Sequence, residues 1–472
     1  MSVMKYFEAI SEIPRASFKE ERISNYLKEF AIERGLKYIQ DDMFNIIIFK
    51  PASEGYEKAP TVMLQGHIDM VAEKNNDSDH DFDHDPIKLI EKDGMLWADK
   101  TTLGADNGVA VAYMMALLDD EKAQHPALEC VFTVQEETGL TGAAHLDTSM
   151  LEASLCVGLD SSGDDETCVS TSGGVRVALE KELNFESNTQ EAVHVSIKGL
   201  KGGHSGGDID KERANASKLA GIILRRTLDE FPQMRLAQID GGLKMNAITR
   251  ENDFVIAIDD KTAFEAFLEP IITEMKVQYE FSDEGLEINT TSVKVDQVLT
   301  KEDTAMITDL LFMLPYGVIQ KSMAIEDLVI TSANIGTINI LDNKVVITLS
   351  LRATQAYVLD NLMRQVQWLA DLYQMEIEFS SNYPGWNFDA HSPFRKRLLE
   401  VYEDINGKTM RETATHGGME LGIWKDKMPE LDIISFGPNM YEIHTPNEHL
   451  DIASFEKTYT LLENLLKSLN NF

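Results

Sequence analysis

Residues 61–70 read TVMLQGHIDM, an apolar run that ends in His67 and Asp69. It reads as a strand, and so do NIIIFK (45–50) upstream and LECVFTVQEE (128–137) and SLCVGLD (154–160) downstream. Between them NGVAVAYMMALLDD (107–120) reads as a helix. Ahead of all these, Ser17 and Glu20 form a capping-box pattern expected to open an amphipathic helix running to about Arg34. Strands separated by a helix in this way imply an α/β domain, a central mixed sheet flanked by helices.

The pattern changes near residue 187. FESNTQEA (185–192) reads as a polar connector, followed by AVHVSIKGL, DFVIAIDD, GLEINTTSV and KVVITLSLRAT with helical stretches between them. Their period-two alternation with one polar face suggests an antiparallel sheet covered by helices. After the turn-rich NYPGWNFDAHSP, the strand LDIISFGP and the helix ASFEKTYTLLENLLKSL return to the character of the first domain. The expectation is an α/β catalytic domain (1–187 and 382–472) interrupted by an inserted α+β lid domain (188–381).

A chain of 472 residues exceeds the size at which single cores stop growing, in keeping with two domains. With 43 Lys and Arg against 79 Asp and Glu, the net charge of −36 argues against nucleic acid or an anionic membrane as partner. Three cysteines do not make a disulfide framework, and Cys130 and Cys156 sit in apolar runs as buried thiols. No basic-then-apolar leader opens the sequence, and the longest apolar run, Val109 to Leu118, is too short for a membrane span. A cytoplasmic setting is expected.

Residues with ligand chemistry recur at strand ends. His67 and Asp69, two apart, point to one face of an extended chain, as an imidazole and the carboxylate that orients it would. Asp106, in the glycine-flanked turn TTLGADNG, could equally be a helix N-cap. Glu136 and Glu137 leave a strand in diverging directions, so one could bind metal while the other handles protons. Asp160 follows SLCVGL and would by itself be a turn residue. Taken together they are more telling, because the carboxyl ends of strands in an open α/β sheet gather at one crevice. His444, in YEIHTPNEH, could complete the set. Two histidines and several carboxylates suit a pair of divalent ions.

HIDMV, TTLGADNG, EETGLTGA, GLKGGHSGGDI, YPGW and HGGMELGIWK, in that order, resemble the M20 family of metallopeptidases, and within it the dipeptidases. The resemblance implies that His67, Asp106 and Asp160 hold one metal and that Asp106, Glu137 and His444 hold the other. Asp106 would bridge the two across a cis peptide to Asn107. Asp69 would orient His67, Glu136 would be the general base, and His204 would face the scissile carbonyl. Arg352 and Asn246 would grip the substrate carboxylate and nearby polar atoms, and Glu420 would meet a substrate amine. The cofactors implied are two divalent ions, zinc first, with cobalt or manganese also suited. The implied activity is hydrolysis of small unblocked dipeptides, Xaa-His types included. Other amidohydrolases of the same fold (aminoacylase, deacetylase or aminopeptidase) and a non-enzymatic metal-binding protein are the alternatives. A homodimer stays open. One departure is Thr445, directly after His444, where the family form has serine.

The densest acidic run, DSDHDFDHD (77–85), lacks the glycine of a calcium loop and reads as a surface loop, with His80 and His84 outside the catalytic set.

Overall fold

The computed structural model describes residues 3–325 and 328–472. The chain divides into two compact units, one formed by 1–171, 386–414 and 419–472, the other by 172–385 and 415–418.

The first unit is built on an eight-stranded mixed sheet. Its centre is parallel: Val62–His67 lies between Leu128–Thr133 and Leu155–Gly158, and Asp432–Ser435 runs parallel to the latter. Antiparallel strands Ile46–Lys50 and Lys37–Gln40 extend one side. Val62–His67 is buried along its whole length, as a strand covered by helices on both faces must be. The helix Ala105–Asp119 crosses from that strand to Leu128–Thr133, and its side chains from Val109 to Leu118 are all buried. An all-apolar helix is stable only inside a core. Phe7, Ile10, Phe455 and Leu462 belong to the same core.

The second unit is a nine-stranded sheet whose pairings are antiparallel among the described residues. Its helices Ala216–Glu230, Lys261–Gln278, Lys301–Met313 and Ala356–Tyr373 contribute Leu219, Ile223, Leu268, Leu310 and Val366 to a separate core. The alternating burial of Glu191–Lys198, and of the first half of Lys344–Ala353, is the period-two pattern read from sequence.

The structure moves the expected boundaries. Gly173–Glu182 pairs along its length with Lys344–Ala353, so the second unit starts at 172 rather than 188. It runs on to 385, and residues 415–418 return to it because His416 is held there by Ser332 and Arg352. Nor is 185–192 a plain connector, since Phe185–Ser187 pairs with Gln297–Leu299. The capping box does not form either. Its helix spans Glu21–Glu33, and Ser17 Oγ donates instead to Asp69 Oδ2 at 2.8 Å, a buried acceptor that outcompetes a solvated N-cap.

A candidate two-metal centre

The parallel strands end on one side of the first unit, and their ends carry the site. His67 is the last residue of its strand, Glu136 and Glu137 follow the Leu128–Thr133 strand, and Asp160 lies two residues past Gly158. Asp106 enters from the first turn of the crossover helix, where its peptide to Asn107 is cis. It does not cap that helix. Its Oδ1 lies 3.0 Å from His67 Nε2 and its Oδ2 lies 3.1 Å from His444 Nε2. Asp160 Oδ1 is 3.7 Å from His67 Nε2 and accepts a 2.6 Å hydrogen bond from the Asn107 side chain. Glu137 Oε1 is 2.9 Å from His444 Nε2.

Two sets of three ligand atoms, each within 4.8 Å of one another, share Asp106: His67, Asp106 and Asp160, and Asp106, Glu137 and His444. His67, Glu136 and Glu137 form a third set with the same spacing.

Asp69 sits behind this cluster. Its Oδ1 is 3.4 Å from His67 Nδ1 and also accepts the Glu136 backbone N–H at 3.1 Å. Asp69 thus meets the imidazole through its backbone carbonyl, 3.1 Å from Nδ1, as well as its carboxylate, and that carboxylate also holds the peptide that carries Glu136. Gln135, with φ of +52°, and His444, with φ of +65°, occupy the left-handed region beside these groups.

The electrostatics are those of crowded acids. Burial, with Asp106 close by, pushes Asp160 up to about 7. Burial likewise raises Glu136 well above the usual carboxylate range, with Asp160, Glu420 and Asp106 adding to the effect. Hydrogen bonds donated to Asp106 and Glu137 raise His444 to about 11. Burial disfavours a charged His67, but its hydrogen bonds to Asp106 and Asp69 outweigh this and raise it. Carboxylates that repel one another around two imidazoles form a donor set suited to divalent cations, whose charge relieves that repulsion. The residues fit such ions.

In the second unit, the strands Gly203–His204 and Ala247–Ile248 pair, and the Asn246 carbonyl accepts from Ser205 N at 2.9 Å. This brings the exposed Asn246 beside His204. His204 Nδ1 accepts from the backbone N–H groups of Gly206 and Gly207 at 3.2 and 3.1 Å, which leaves the hydrogen of the neutral ring on Nε2. Burial and the Arg352 charge hold this histidine below its ordinary value, favouring that neutral form. A Cβ on Gly206 would lie 3.2 Å from both His204 Cε1 and Arg352 Cζ, so glycine there permits their close approach. Arg352 is 8% exposed, donates to Tyr383 Oη at 2.9 Å and to the His416 carbonyl at 3.3 Å, and leaves its Nε without a partner. No carboxylate among the described residues forms an ion pair with it. A buried cation is costly without a counter-charge.

Glu420 is 2% exposed and accepts from Thr133 Oγ1 at 2.7 Å and from the Gln65 side chain. It is buried, and its Oε1 is left without a hydrogen-bond partner. Thr445 uses its hydroxyl within its own turn, donating to the Glu442 carbonyl at 2.7 Å. The acidic run disperses its charges: Asp77 pairs with Lys100, Asp83 with Lys19, and Asp81 with His84. None of its residues belongs to a metal-capable grouping among the described residues. Sequence reasoning missed Ser17, Arg15 and Glu448, whose partners are backbone groups or side chains far along the chain.

This is the arrangement of a metallopeptidase, and residues 63–468 match the model of peptidase family M20/M25/M40, to which the chain belongs. The chain is 34% identical over 468 residues to the cytosol non-specific dipeptidase of Escherichia coli K12, covering 98% of this chain and 96% of that one. It is also similar to the crystal structure of the aminoacylhistidine dipeptidase from Vibrio alginolyticus, with a TM-score of 0.93, 33% identity, and coverage of 99% of this chain and 96% of that one. The aminopeptidase PepT of Bacillus cereus, at 17% identity and a TM-score of 0.58 over 99% of this chain and 98% of that one, shares the fold. No helix among the described residues is long and apolar enough to cross a membrane.

Proposed function

We propose that the chain is a cytoplasmic, two-metal dipeptidase that hydrolyses small unblocked dipeptides, Xaa-His among them. The observation that carries this reading is the double engagement of Asp106, whose two oxygens each approach a different histidine beside a non-bridging Glu136. The near full-length similarity to the Escherichia coli and Vibrio dipeptidases supports the substrate class. The cytosolic naming of the first, and three buried free cysteines here, support the compartment.

His67, Asp106 and Asp160 would hold one ion, and Asp106, Glu137 and His444 the other. Bound there, divalent ions, zinc foremost, would supply Lewis-acid activation of a water and of the scissile carbonyl. Glu136 takes the proton from the attacking water and returns it to the departing amine. Asp69 keeps the His67 ring and the Glu136 peptide in register. His204 donates from Nε2–H to the carbonyl oxygen as negative charge builds on it. Arg352, with Asn246 beside the His204 loop, receives the free carboxylate of the substrate, which favours dipeptides over longer or amidated chains.

The test is a panel of Ala-His, Gly-Gly, a tripeptide and an N-acetyl amino acid, assayed before and after chelation and after return of Zn2+, Co2+ or Mn2+. Metal-restored turnover confined to the dipeptides is expected. Preference for the N-acetyl amino acid would favour an aminoacylase instead.

A further inference from the structure

The site depends on a turn, Leu103 to Asp106, whose backbone is held by side chains from far away in sequence. Glu448 is 2% exposed, and its carboxylate accepts four consecutive backbone N–H groups. Oε2 takes those of Leu103 at 2.8 Å and Gly104 at 3.0 Å, and Oε1 takes those of Ala105 at 2.8 Å and Asp106 at 3.3 Å. A carboxylate has about four lone-pair directions, so this one is fully used.

The other side of the same turn is held by Arg15, also 2% exposed. Its Nη2 donates to the Gly104 carbonyl at 2.6 Å, and its Nη1 donates to the carbonyls of Ile68 and Asp69 at 3.2 Å each. The Gly104 peptide groups are thus gripped by an anion at N–H and a cation at C=O. The same guanidinium ties the turn to the loop directly after His67. Gly104 has φ of +70°, and a Cβ there would come within 2.5 Å of Arg15 Nη2, so the clamp requires glycine at its centre.

Glu448 stands four residues after His444. The short segment 444–448 therefore holds Asp106 twice, by its side chain through His444 Nε2 and by its backbone N–H through Glu448. The crossover helix has no side-chain cap of its own, because its N-cap residue is Gly104. An anion brought from elsewhere in the chain satisfies its first N–H groups and frees the Asp106 carboxylate from capping.

We propose that Glu448, backed by Arg15, is the positioning residue that sets the Asp106 carboxylate between the two ion sites. This rests on the reading of Asp106 as the bridging ligand. Metal affinity, and not folding alone, is then what the clamp controls, as partners behind a ligand commonly do.

The experiment titrates metal-free wild type, Glu448→Gln, Glu448→Asp and Arg15→Lys with Co2+, following visible absorption and calorimetric affinity, with far-ultraviolet circular dichroism and melting recorded in parallel. Glu448→Gln replaces two acceptor lone pairs by an amide NH2 facing backbone donors. It should bind Co2+ roughly 10- to 100-fold more weakly with an altered absorption envelope, while keeping its circular dichroism. Glu448→Asp should recover part of that affinity, and Arg15→Lys should show a smaller loss. Unchanged affinity and spectrum in a folded Glu448→Gln would overturn the proposal, as would loss of cooperative melting in all three variants, which would make the clamp a general core support. Failure of the wild type itself to bind Co2+ would instead overturn the metal-site reading on which the clamp depends.

Discussion

His444 Nε2 lies 3.1 Å from Asp106 Oδ2, although the two residues are 338 positions apart. His67 approaches the other oxygen of the same carboxylate at 3.0 Å. The site is therefore organised around one bidentate acid. Its neighbours differ in what they contact, and this separates their roles experimentally.

Glu136 shares a grouping with His67 and Glu137 but belongs to neither set that contains Asp106. Glu136→Gln should keep the metal content of the wild type and lower kcat by roughly 10²- to 10⁴-fold, the range of a lost general base. Metal analysis beside steady-state kinetics checks this. Retention of near-normal kcat would remove Glu136 from the mechanism.

Arg352 has no acidic partner among the described residues, and its Nε is unpaired. A charge-assisted bond to a substrate carboxylate is worth about 1.5–3 kcal/mol. Arg352→Ala should therefore lower kcat/KM for a dipeptide by roughly 10- to 150-fold, while a matching dipeptide amide loses far less. Equal losses on both substrates would count against a carboxylate contact.

His416 is buried with Nε2 at 2.7 Å from Ser332 Oγ, and burial together with the Arg352 charge lowers it from 6.5 to about 3. It is neutral in the folded chain at every pH above that value, whereas the unfolded chain binds a proton below about 6.5. Its contribution to stability is therefore complete above pH 6.5 and is lost as the pH falls towards 3. Between pH 7.5 and 5.5 this one group should cost about 1.4 kcal/mol. Urea unfolding of wild type and His416→Gln at both pH values reads the difference. The glutamine variant should lose less stability on acidification, and parallel losses would show that another group is responsible.

Asp81 and His84 bond to each other at 3.0 Å in a loop where Asp83 pairs with Lys19 and Asp77 with Lys100. Asp81→Asn and His84→Asn should leave metal stoichiometry and kcat/KM within twofold of wild type, since exposed ion pairs contribute little. A drop in metal content in either variant would reopen the run as a cation site.

Much of this was readable from residue order. Apolar strands separated by a helix announced the α/β unit, and alternation announced the second sheet, because burial imposes those periods on any chain that adopts them. His67, Asp106, Glu136, Glu137, Asp160 and His444 stood at strand ends or in turns, where side chains of that chemistry can converge. The boundary near 187 was misplaced because the alternation of Gly173–Glu182 went unread, and its pairing with Lys344–Ala353 assigns it to the second sheet. Glu420 could be seen as an acid near the site, but whether it faces a ligand or lies buried against Thr133 and Gln65 depends on packing.

By itself the sequence determined the kinds of element, their order and the donor atoms available to the site. The tertiary structure alone decided which donors meet, that Ser17 serves Asp69 instead of a helix end, and that Glu448 and Arg15 clamp the Gly104 turn. The reason is physical. Local periodicity is written into neighbouring residues, whereas a hydrogen bond to a backbone N–H can be made by any acid that folding brings within 3 Å or so, and nothing in its own neighbourhood marks it.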